Sequence, residues 1–169
     1  VQVKCQSTRQ QGLNRFIARR LLLDRLEAQR KAQADAARAR AETLDRLPDF
    51  QKRQMPLLGV PIAVKDNICT KGIKTTWGAP PFKDQIFDYD ATVIRKLRAA
   101  GAILVAKLSM IELAGGGGYN NGAASLQGPS RCPYNLEHWA GGSSSGPGAA
   151  VPSALVGFAI GSETLGSII

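Results

Sequence analysis

The stretch DATVIRKLRAAGAILVAK, residues 90–107, limits most strongly the folds open to this chain. Val93, Ile94, Leu97 and Ala100 recur at helical spacing and make one apolar face. Asp90 stands where it can cap that helix, and Gly101 where it can end it. AILVAK (102–107) follows at once and reads as a short buried strand. A helix running directly into an apolar strand is the rhythm of a layered α/β sheet. LLGVPIAVKDN (57–67) offers a second strand through Val60, Ile62, Ala63 and Val64, with Pro61 pointing to an irregular or edge start. VGFAIG (156–161) offers a third. The expected architecture is α/β, a mixed β-sheet core flanked by helices and preceded by one long N-terminal helix.

That N-terminal helix is read over residues 13–46. Leu13, Phe16, Ile17, Leu21, Leu22 and Leu26 give its apolar stripe, and AQADAARARA continues it with strong helix formers. Pro48 ends it, and 48–56 reads as a linker between Pro48 and Pro56. Residues 68–89 read as loops broken by Gly72, Gly78, Pro80 and Pro81. Residues 110–122 turn into a glycine loop, and 128–135 read as loop. A short helix is expected over 147–156, with Pro147 at its first position and Pro152 disturbing its interior. The resulting division is a basic helical segment with its linker (1–56) and an α/β unit (57–169).

Charge follows the same division. Residues 1–55 hold 13 Lys/Arg against 6 Asp/Glu, whereas 56–169 hold 9 against 7. A basic segment can serve a nucleic-acid-binding helical module. Only Phe16 and Phe50 fall among these basic residues, too few for a stacking surface, so a solvated helix face is the plainer reading. Cys5, Cys69 and Cys132 lie far apart with no C-x-x-C, which fits free thiols in a reducing cytoplasm and neither a disulfide framework nor a zinc site. No apolar run is long enough to span a bilayer. The chain begins at Val1 and ends two residues past Ser167, and it reads as a fragment of a longer protein.

The chemistry concentrates in GGSSSGPGAAVPSALVGFAIGSETLGSII (141–169). Glycines beside Ser143, Ser144 and Ser145 let the backbone take tight shapes that aim hydroxyls and amide N–H groups into one cavity. Ser167 lies just past the third strand, where the N–H groups of Thr164 to Ser167 can surround a developing oxyanion. A serine nucleophile needs a proton acceptor. His138 is the sole histidine and lies five residues before Ser143, without an evident orienting acid. Lys65 ends an otherwise apolar stretch, where burial disfavours its charged form, and Ser–Lys pairs are a known solution. On residue type alone, Lys65 reads more readily as a surface lysine paired with Asp66.

GVPIAVKDN, the glycine-serine run and the G-S-x-T-x-G-S-I segment, in this order, together resemble the amidase signature family, and YDATVIRKLRAAGAILVAKLSM is similar to its helix–strand segment. The resemblance runs over about residues 57–169. It implies amide hydrolysis through an acyl-enzyme by a Ser–cis-Ser–Lys triad, with Lys65 as the lysine, Ser143 as the bridging serine after a cis peptide and Ser167 as the nucleophile. It also implies an oxyanion hole from the backbone N–H groups of Thr164, Leu165, Gly166 and Ser167, and a substrate-lining segment at Ala114 and Gly115. A small-molecule amide is the implied substrate, with no cofactor and no metal, and a homodimer is compatible with it. The same residues would serve the glutaminase component of a tRNA-dependent amidotransferase. Leu165 stands where many members have Gly, and Ile169 where many have Arg.

Overall fold

A computed structural model describes residues 31–116 and 120–168. Its centre is a three-stranded sheet in the order β2–β1–β5. Strand β1 (Pro61–Lys65) lies in the middle, paired in parallel with β2 (Ile103–Leu108) on one side and β5 (Phe158–Ile160) on the other. From Ile62 to Lys65 the central strand is buried throughout. This explains its near-continuous apolar run, because a parallel strand covered on both faces shows no polar alternation. Pro61 opens β1 and is exposed, so the N–H it lacks is not missed from the ladder. Of the irregular or edge start that Pro61 suggests, it is the irregular one that is found, since β1 lies in the centre of the sheet. A register shift between Ile62 and Ala63 separates two stretches of the β1–β2 pairing.

Between β1 and β2 runs α3 (Thr92–Ala99), which follows α1 (helical through 31–45) and α2 (Asp49–Lys52). Ile94 is buried on α3, and Leu44 on α1 is only 2% exposed. The rest of the expected 13–46 helix, with its leucine stripe and most of the basic segment, lies outside the described residues. The expected linker contains α2, opened by Pro48 in extended conformation. Asp90 does not cap α3. Ala91 is the N-cap residue, and the Asp90 carboxylate instead accepts the Lys71 N–H at 2.8 Å and pairs with Arg98 at 2.6 Å. Gly101 does end the helix. Its φ is +93°, and a Cβ there would come within 2.8 Å of the Leu58 backbone, so glycine is required twice over.

The final helix, α4 (Ser145–Ala150), starts two residues earlier than expected and ends before Pro152. Pro147 lies in its first turn, where the absent N–H breaks no helical bond. Pro152 therefore follows the helix and does not kink it. Residues 128–135, read as loop, include half of a small antiparallel hairpin of β3 (Arg131–Cys132) and β4 (Asn135–Trp139). Its strand residues from Asn135 to His138 are exposed and mostly polar, so no apolar alternation announced them. Within the described residues the antiparallel pairing thus stands apart from the central sheet, whose three strands are all parallel. The α/β architecture is the one expected. Among the described residues no helix is long and apolar enough to cross a membrane.

Candidate active site

Lys65 is the last residue of the central strand and is fully buried. It pairs with Leu108 of β2, and Ser162, just past β5, reaches its amine. Its Nζ donates to Ser143 Oγ at 2.7 Å, to Ser144 Oγ at 3.0 Å and to the Ser162 carbonyl at 3.3 Å. Three acceptors match the three N–H bonds of an ammonium. Burial nevertheless pulls the Lys65 pKa down to about 8, against the opposing charge of Glu163.

Ser143 follows a cis peptide from Gly142 and is fully buried. Its hydroxyl donates to Ser167 Oγ at 3.0 Å, and its carbonyl accepts the Ile111 N–H at 3.1 Å. Ser167 is 4% exposed, and its carbonyl accepts the Ser144 N–H at 3.2 Å. Lys65, Ser143 and Ser167 thus form one continuous hydrogen-bonded line, although 102 residues separate its ends in sequence. The serine run is held by α4. Gly146 donates its N–H to the Ser109 carbonyl at 2.9 Å, and a Cβ at Gly146 would meet Ser109 backbone atoms at 2.6 Å. Only glycine lets this backbone come so close to the end of β2.

The other expected residues distribute differently. Thr164, Leu165 and Gly166 form an exposed turn ahead of Ser167, with Gly166 at φ +75°. Leu165 is 80% exposed. Ala114 and Gly115 lie on and after a short turn of helix (Glu112–Ala114), whose Ala114 N–H bonds the Ile111 carbonyl at 3.0 Å. They connect to Ser143 through Ile111. A cavity of about 590 Å³ opens beside Ser144 and Ser167, with Trp139, Pro147, Val151 and Ile168 among its walls; Ala114 and Gly115 are not in them. His138 is exposed on β4.

The reading of Lys65 as a surface lysine paired with Asp66 does not survive the fold. Successive strand residues face opposite sides, and Asp66 turns away from the serines. Its carboxylate accepts the Thr76 N–H at 3.1 Å and the Thr76 hydroxyl, and it pairs with Lys107 at 3.7 Å. Lys107 also donates to the Ile68 carbonyl and to Thr75 Oγ1. Burial pushes the Asp66 carboxyl up and the Lys107 ammonium down, each opposed by the other's charge. Sequence reasoning passed over Ser162 and this Asp66–Lys107 pair. Ser162 sits inside the G-S-x-T segment, but it contributes through its main-chain carbonyl, which no residue type reveals.

The chain matches the Amidase family profile over residues 14–169. It is 46% identical over 134 residues to the A component of the glutamyl-tRNA(Gln) amidotransferase of Moorella thermoacetica, covering 79% of this chain and 25% of that protein. Among solved structures, it superposes on the native peptide amidase of Stenotrophomonas maltophilia with a TM-score of 0.64 and 31% identity, over 87% of this chain and 36% of the other. It superposes on the allophanate hydrolase of Kluyveromyces lactis with a TM-score of 0.68 and 31% identity, over 86% and 25%. The chain spans about a quarter of the length of the curated relatives it matches. The match over most of its length, through the strand, serine and glycine segments that build the buried hydrogen-bonded line, means that this chain belongs to the amidase family.

Proposed function

We propose that the protein hydrolyses the carbon–nitrogen bond of a small-molecule amide, with Ser167 as nucleophile, Ser143 as bridge and Lys65 as base. The observation that supports this most directly is the buried line of hydrogen bonds from Lys65 Nζ through Ser143 Oγ to Ser167 Oγ, at 2.7 and 3.0 Å.

The hydrogens in that line point away from Lys65, as they must while it is an ammonium. Loss of one proton leaves two N–H bonds and a lone pair. The Ser162 carbonyl can only accept, and Ser144 Oγ already accepts the Ser162 N–H at 3.4 Å and donates to the Ser162 carbonyl at 3.3 Å. These two hold the remaining N–H bonds, and the lone pair faces Ser143. The Ser143 hydroxyl then turns toward Lys65 and the Ser167 hydroxyl toward Ser143. As Ser167 Oγ bonds to the amide carbon, its proton passes to Ser143, whose own proton passes to Lys65. The carbonyl oxygen takes the negative charge, with the N–H groups of Thr164, Leu165, Gly166 and Ser167 as candidate donors to it. Collapse breaks the C–N bond while the relay runs backward and protonates the leaving nitrogen. Water attacks the resulting ester through the same relay and frees the acid and Ser167.

A serine-directed fluorophosphonate tests this. Wild-type chain is expected to be labelled at Ser167 and Ser167→Ala not at all; equal labelling of both sinks the assignment. A second reading, the glutaminase component of a tRNA-dependent amidotransferase, is favoured by the identity to the Moorella thermoacetica protein. Copurification with the other components of such a complex distinguishes it from a free-standing amidase.

A further inference from the structure

Glu163 lies between the Lys65 end of the site and the Ser167 end, and the relay described above leaves it without a task. It follows Ser162, whose carbonyl holds the Lys65 ammonium at 3.3 Å. Its carboxylate reaches forward to accept the N–H of Ile168, closing a ring over Thr164, Leu165, Gly166 and Ser167. Ser167 is therefore tied at its hydroxyl by Ser143, at its carbonyl by Ser144, and at the next peptide N–H by Glu163. The turn so closed is otherwise exposed and includes a glycine at φ +75°, so its own packing does little to define it. Charged acceptors make the stronger hydrogen bonds to backbone N–H groups.

We propose that Glu163 is a positioning residue: its carboxylate, bonded to the Ile168 N–H, folds the 164–167 turn around the nucleophile, and it stands one residue from the Ser162 carbonyl that holds the Lys65 amine. Among the described residues, the groups hydrogen-bonded to that amine are the neutral hydroxyls of Ser143 and Ser144 and the Ser162 carbonyl. Asp66 and Lys107 pair with each other on the far side of the strand. Among the described residues, Glu163 is the charge that opposes the effect of burial on Lys65. It limits how readily the base gives up its proton while it holds the nucleophile in place.

The role rests on the Ser167 assignment, and two substitutions separate its parts. Glu163→Gln keeps an oxygen for the Ile168 N–H and removes the charge. Glu163→Ala removes both. The readouts are an NMR titration of the Lys65 side chain and the pH profile of fluorophosphonate labelling at Ser167, each on the full 169-residue chain. In Glu163→Gln the midpoint of both curves should fall by about half a pH unit, with the labelling rate on the alkaline plateau kept to within about threefold. Molar salt should shrink that difference, because the carboxylate is exposed. In Glu163→Ala the plateau itself should drop by about tenfold or more. A Lys65 midpoint that does not move in Glu163→Gln, with Ser167 labelled as in wild type, overturns the role of Glu163. Wild-type chain that is not labelled at Ser167 overturns the nucleophile assignment and this role with it.

Discussion

Lys65 Nζ and Ser143 Oγ lie 2.7 Å apart in a region closed to solvent, the shortest link of the proposed relay. With a pKa of about 8, roughly a tenth of the Lys65 side chains are neutral at pH 7. In the proposed relay the neutral amine is the acceptor, so the labelling rate at Ser167 should rise with pH and level off above the Lys65 midpoint near 8. A flat profile from about pH 6 to 10 contradicts Lys65 as base. Lys65→Ala should lower the plateau by about 10²–10⁴-fold, the usual contribution of a positioned base.

Ser144 is expected to matter without touching the nucleophile's hydroxyl. In the proposed relay it takes one of the two N–H bonds left on neutral Lys65 and so turns the lone pair toward Ser143. Ser144→Ala should reduce the labelling rate by about tenfold, as the loss of one hydrogen bond to a nitrogen that becomes charged. Thermal melting should move little by comparison. A variant as fast as wild type means that the lone pair is oriented by other means.

The Asp66–Lys107 pair should be structural. Removing one partner leaves a buried charge without its complement, so Lys107→Met alone should destabilise the fold by about 3–5 kcal/mol in a denaturant titration. Combining it with Asp66→Asn should recover part of that loss. If the double variant is no more stable than Lys107→Met, the two residues are not coupled.

Gly146→Ala probes how α4 places the serines. The new methyl group would lie 2.6 Å from both the backbone N and O of Ser109, so the helix must move. A cost of about 1–3 kcal/mol is expected, as for overpacking elsewhere, together with slower labelling because Ser143 shifts with the helix. Gly157→Ala, where a Cβ would meet nothing within 4 Å, is the control and should leave labelling unchanged.

Much of the fold was legible along the chain. The α3–β2 passage shows because Ile94 and Leu97 repeat at helical spacing and Ile103 to Val105 run on as an apolar strand. Where the reading slipped, longer-range contacts had taken over. Asp90, a good cap by residue type, is drawn off by Lys71 and Arg98. The β3–β4 hairpin is exposed and carries almost no apolar signal. Proline at position 61 suggests an irregular or edge start; its place as the first residue lets it open the central strand, whose start is irregular in register.

By itself the sequence determined which residues can do chemistry: a lysine closing an apolar strand, a serine run among glycines, and a second serine 24 positions on. It could not choose between Lys65 facing Asp66 and Lys65 facing the serines, because both are adjacent possibilities for an isolated strand. The tertiary structure decided that. Parallel pairing on both sides of β1 buries Lys65, the pleat sends Asp66 the other way to Lys107, and α4 with the chain after β5 brings Ser143, Ser144 and the Ser162 carbonyl around one nitrogen. The lowered pKa of that nitrogen is a property of this enclosure, which exists only when segments far apart in the chain exclude water together.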